Sequence, residues 1–137
     1  MWTRLLVGAA TFLGVHLVVV SQWHDWFKGS DAYGPWFMNA SGTVAFAVGV
    51  FLIVNLAVAL AGGHHAPEQV VLRACHVAAG AAVVMTIVLF TYPGGPGTLF
   101  PIAIAIGVVL ITVSSVAGAM AAWLITRRTA TPSAGRS

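Results

Sequence analysis

The sequence predicts an all-α integral membrane protein: a four-transmembrane-helix bundle with its N- and C-termini cytoplasmic. Three observations carry that prediction: the composition, four long apolar segments, and the placement of the arginines. Of the 137 residues, 59% are hydrophobic and only 7% are charged. A soluble domain carries roughly 25% charged residues. A chain this poor in charge has too little polar surface to face water on all sides. Its formal charge is +3, but the basic residues are scattered and form no stripe, which excludes nucleic acid as a partner. The single cysteine, Cys75, cannot form an internal disulfide.

A membrane-crossing helix needs about 20 mainly apolar residues to span about 30 Å of hydrocarbon. Four windows meet this, at about 5–21, 37–61, 70–90 and 100–124. The stretch "PIAIAIG" at the start of span 4 alternates like a strand, but the apolar run continues far beyond strand length, so a helix is predicted there. Residues 1–126 form the four-helix domain, and 127–137 read as a disordered cytoplasmic tail.

With four crossings, Arg4, Arg73, Arg127, Arg128 and Arg136 all fall on one side, and Lys28 falls on the other. The positive-inside rule then places both termini and the 62–69 connection in the cytoplasm of a multi-pass protein of the plasma (inner) membrane. Aromatic residues agree, clustering between Trp23 and Phe37 and again near Phe90, Tyr92 and Phe100 at the outer boundary, with Trp2 and Trp123 at the inner one. Aromatic rings with a polar edge favour the headgroup layer. One alternative is that residues 1–21 are a cleaved signal peptide. Against it, the apolar stretch is long, contains His16, and runs into the aromatic belt.

Lipid supplies no hydrophobic force between helices, so small residues that allow close backbone approach mark the packing faces. Span 4 carries such a stripe in Ala103, Gly107, Ser114, Gly118 and Ala122. Span 2 offers Ser41, Ala45 and Gly49, span 1 offers Ala10 and Gly14, and span 3 offers Gly80. These residues pack the bundle, and span 4's stripe is also a candidate face for a partner subunit. The glycine-rich turn "YPGGPGTLFP" has neither the lysine nor the preceding strand of a phosphate-binding loop.

No aspartate or glutamate lies inside a span. Cation-coupled carriers usually hold their ion on an intramembrane carboxylate, so the sequence argues against one. The polar intramembrane candidates are His16, Asn55, Arg73, His76 and Ser114. Asn55 and His76 fall at similar depth, which predicts a hydrogen bond between them, with Arg73 reaching to the inner headgroups. A proton relay or a quinone contact is the functional alternative for this patch. His16 and His76 lie about 17 Å and 9 Å from the inner boundary, a mismatch that argues against one haem held between them. No cofactor is predicted, with haem or quinone contact as the secondary reading. His64, His65 and Glu68 are the weak metal candidates; Glu68 and Cys75 are too far apart along a helix to share an ion. At the outer face, Trp23, His24, Asp25 and Trp26 form an aromatic anchor that would also suit a quinol or lipid headgroup.

Three functional classes follow. The leading one is a non-catalytic accessory or structural subunit of a larger membrane complex, respiratory or transport, packing against itself or other chains within the bilayer. The second is a homo-oligomeric channel, carrier or holin-like pore lined by Asn55, His76 and Ser114. The third is a histidine-dependent redox enzyme, but no nucleophile–base pair supports catalysis. The excess of arginine over lysine, with abundant alanine and glycine, suggests a bacterial source with a GC-rich genome.

Overall fold

The computed structural model describes residues 1–26, 34–63, 65–90 and 100–130, with side-chain surroundings given for 1–22, 42–63, 65–90 and 101–129. Four helices account for nearly all of this: α1 (Trp2–Trp26), α2 (Gly34–Ala61), α3 (Pro67–Phe90) and α4 (Phe100–Ala130). Each contains a stretch long and apolar enough to cross a membrane, and no strand occurs among the described residues. The chain is therefore an all-helical, multi-pass membrane protein by length and composition. Large apolar side chains such as Leu6, Ile53, Val83, Ile106 and Val113 point outwards. On a water-facing surface they would be an aggregation hazard; facing lipid they are in their own medium.

The helices run beyond the apolar windows. α1 begins at Trp2 and reaches Trp26, and α3 begins at Pro67. Proline suits the first helical position because its missing N–H would have no partner there. The Ala66 carbonyl accepts from the N–H groups of Gln69 and Val70, at 3.0 and 3.2 Å, and starts the ladder. α4 corrects the expected tail boundary: its 31 residues continue through Arg127 and Arg128 to Ala130. Two arginines in a last turn favour that end, where the helix dipole is negative. The Arg127 guanidinium also lies over the Trp123 ring, 5.2 Å from its centre. The remainder of the expected tail, 131–137, lies outside the described residues.

The arrangement of the helices is not the one that chain order suggests. α1 packs on α3, α3 on α4, α4 on α2, and α2 on α1, so α2 and α3 stand on a diagonal of the square. Matching levels give the directions. Gly8 meets Val77 while Phe12 and His16 share a void with Met85 and Val88, so α1 and α3 run parallel. Val44 lies near Gly107, and Leu52 meets Gly118, so α2 and α4 also run parallel.

Both parallel pairs are clamped by glycine. A Cβ on Gly8 would run into the Val77 carbonyl, one on Gly80 into the Leu5 carbonyl, and one on Gly118 into the Leu52 carbonyl. Such backbone approach is how helices gain packing energy where lipid offers no hydrophobic drive. Between the pairs, Phe12, Phe51, Met85 and Ile111 are almost fully buried and fill the centre of the bundle. α1 contributes Phe12, Val15 and Val19 to this core.

Candidate functional site

Because α2 and α3 are diagonal, the five residues that join them must cross the end of the bundle rather than its edge. Gly63 makes the turn at φ 75°, a left-handed conformation that side-chain-bearing residues rarely adopt. The His65 ring bonds the Gly62 carbonyl, three residues back along the crossing, through Nε2 at 2.8 Å. Beneath it lies a cavity of about 160 Å³. Its wall includes Arg4 from α1, Asn55 from α2, Arg73 from α3 and Ala119 from α4, with Gly62, Gly63 and His65 from the crossing.

Each polar group reaches this cavity for a local reason. The Met1 carbonyl accepts from Arg4 N–H at 3.1 Å and from Leu5 N–H at 3.3 Å, so Arg4 lies in the first turn of α1. Arg73 lies in the second turn of α3, and its Nη1 is 3.9 Å from where a Gly62 Cβ would be. The glycine-tight contact of parallel α1 and α3 brings the two guanidinium groups to one end. Among the described residues neither has an ion-pair or hydrogen-bond partner, and both are half-buried. Asn55 is only 3% exposed. Its Nδ2 donates to the Phe51 carbonyl at 2.8 Å. That leaves one N–H and the carbonyl oxygen without a protein partner.

The expected Asn55–His76 hydrogen bond does not form. His76 bonds back to the Leu72 carbonyl through Nδ1 at 2.8 Å, as Asn55 does to Phe51. The reason is the diagonal: equal depth does not bring side chains together on helices that barely touch. His76 is half-buried and does not line the cavity. Ser114 donates to the Ile111 carbonyl at 3.0 Å and is buried elsewhere in the bundle. Asn55, His76 and Ser114 therefore do not share a cavity within the chain, and the apolar centre lies between the two ends of the bundle.

His16 approaches Thr43 across the α1–α2 contact, Nδ1 to Oγ1 at 3.3 Å. The void beside it is about 10 Å³, at the lower limit for one water molecule. His16 shares that void with Val88, which is twelve residues beyond His76 on α3. At about 1.5 Å of rise per residue the two histidines differ by about 18 Å in height, far more than one iron spans. For metals, no group of three His, Cys, Asp or Glu side chains assembles among the described residues. Glu68 is exposed, and His64 lies outside the described residues. So do the side chains of Trp23, His24, Asp25 and Trp26, although the backbone of α1 runs through them.

The span-4 stripe lies inside the bundle. A Cβ on Gly107 would fall 2.8 Å from the Met85 sulfur, one on Gly118 would run into the Leu52 carbonyl, and Ala122 is fully buried. Small residues are left outside on every helix, Ala79 of α3 and Ala105 and Ala117 of α4 among them, but those of α1 and α2 include two glycines. Ala10, Gly14 and Gly49 are exposed, and a Cβ at Gly14 or Gly49 would meet nothing within 4 Å. Ala10, Gly14 and Val18, with Phe46 and Val50, line a lipid-facing groove of about 360 Å³ between α1 and α2.

Sequence reasoning used Arg4 only for orientation and missed it as a cavity residue. Its signal lay in the pairing of Arg4 with Arg73, each opening a span at the same end without a nearby carboxylate on its own face. Comparison of the chain with family models, curated proteins and solved structures returned no match.

Proposed function

We propose that this protein is a non-catalytic accessory subunit of a larger assembly in the plasma membrane, with both termini in the cytoplasm. The observation that carries the reading is the groove between α1 and α2. Gly8, Gly80, Gly107 and Gly118 are consumed in contacts within the chain, whereas Ala10 and Gly14 floor an open groove of about 360 Å³. Small residues facing lipid gain nothing from lipid, but they let a neighbouring helix approach its backbone closely. The occupant is a transmembrane helix of another subunit, either a second copy or a different chain. The filled centre of the bundle weighs against a pore through one copy.

The test is the size of the assembly in mild detergent. The full chain should elute as part of a larger membrane-protein particle, and Gly14→Leu should release it while the helical content stays unchanged. A Cβ at Gly14 would meet nothing within 4 Å, and the open groove beside it has room for the rest of a leucine, so the bundle should stay intact. A wild-type chain that elutes alone, or a particle indifferent to Gly14→Leu, contradicts the reading.

A further inference from the structure

The cavity under the α2–α3 crossing is separate from the groove and raises a different question. Two arginines line it without a counter-charge among the described residues, in a chain where charge is scarce. A cation in the first turn of a helix opposes the positive end of the dipole, and Arg4 holds that position in α1. Arg73 stands near the equivalent end of α3. The C-terminal ends of α2 and α4 meet the same end of the bundle, so the four dipoles largely cancel there and the arginines set the sign. Glu68 is exposed and does not line the cavity.

We propose that this cavity is a binding site for a phosphate group, gripped by Arg4 and Arg73 with Asn55 at its floor. Guanidinium presents a planar fork of N–H donors that matches phosphate oxygens in pairs. The volume of about 160 Å³ equals roughly five waters at about 30 Å³ each, enough for a phosphate group and its residual water. Asn55 supplies the independent sign of a ligand. It is buried to 97% on the same wall, and one N–H and the carbonyl oxygen have no protein partner. Asn55 lines the cavity, so a polar guest there can pair with the groups that the protein leaves free. Its spare N–H suits a phosphate oxygen, and its oxygen suits a hydroxyl carried with the phosphate. The group has two sources at this depth: the phosphodiester of an anionic lipid in the adjoining leaflet, or a soluble phosphate from the aqueous side.

The experiment uses the full chain, stripped of lipid in a non-ionic detergent, and reads the thermal midpoint. One arm adds phosphatidylglycerol, with diacylglycerol as the phosphate-free control. The other adds inorganic phosphate, with chloride at matched ionic strength. A rise in the phosphatidylglycerol arm alone assigns a lipid headgroup; a rise with inorganic phosphate assigns a soluble ligand. Both support the site. In either case Arg4→Gln and Arg73→Gln should each weaken binding about tenfold or more, since a charge-assisted pair is lost. Arg73→Lys should retain part of the affinity, and Arg128→Gln, outside the cavity, should retain all of it. Should either Gln variant fail to fold, the Arg73→Lys and Arg128→Gln comparison carries the test. No rise in either arm, or equal affinity in all cavity variants, overturns the proposal. The subunit reading is untouched by that result, because Gly14→Leu probes a different face.

Discussion

Gly80 of α3 lies against the Leu5 carbonyl of α1, so close that a single added carbon would overlap it. Gly80→Ala should force the parallel pair apart. The expected loss is about 1–3 kcal/mol, the usual cost of overpacking, read as a lower thermal midpoint in detergent. Gly8→Ala and Gly118→Ala should behave alike, because each meets a carbonyl on the facing helix. Gly14→Ala and Gly49→Ala are the controls. Both face open space, and alanine is favoured over glycine within a helix by about 0.5–1 kcal/mol. Equal destabilisation at all five positions would show that glycine contact is not what holds the bundle.

Ser115 makes a second prediction. Its hydroxyl is fully buried and has no hydrogen-bond partner. A buried group left unsatisfied costs about 1–3 kcal/mol. Ser115→Ala should therefore be neutral or stabilising, whereas Ser114→Ala, which removes a made bond to Ile111, should not stabilise. A marked loss of thermal stability in Ser115→Ala would mean that the hydroxyl has a partner in the membrane.

The His16–Thr43 contact joins α1 to α2 at 3.3 Å. Polar contacts between membrane helices average about 0.6 kcal/mol in double-mutant cycles. His16→Leu and Thr43→Val, measured singly and together, should show a coupling of about that size. Strict additivity would remove the contact from the account.

The turn at Gly63 predicts a backbone effect. Its φ of 75° is costly for a residue with a Cβ, by roughly 1–2 kcal/mol. Gly63→Ala should lower stability by that order and loosen the crossing over the cavity. Hydrogen exchange at the amides of 62–66 would rise with it. Unchanged exchange and stability would indicate a different turn.

How much of this was legible in the sequence depends on the kind of interaction. The four helices were, because span length is set by bilayer thickness and the apolar runs match it. Their ends were not. The polar residues flanking each run, such as Thr3 and Arg4 or Arg127 to Thr129, continue the helical ladder beyond the apolar window. Gly107 and Gly118 stood out as part of a stripe; Gly8, alone on its face, did not. The neighbour order was hidden altogether. A five-residue connection ordinarily joins adjacent helices, and depth arguments paired Asn55 with His76 on that assumption. The diagonal crossing instead sets Asn55 beside Arg4 and Arg73, a cavity that no spacing within one span reveals.

The central claim is that the chain crosses the bilayer four times with its arginine-bearing end facing the cell interior. Protease accessibility of two epitope tags in intact cells tests it directly, one tag at the C-terminus and one within the 91–99 connection. The account predicts cleavage of the 91–99 tag in intact cells, and cleavage of the C-terminal tag only after the membrane is opened. A C-terminal tag cleaved from outside, or both tags reached from the same side, would contradict it.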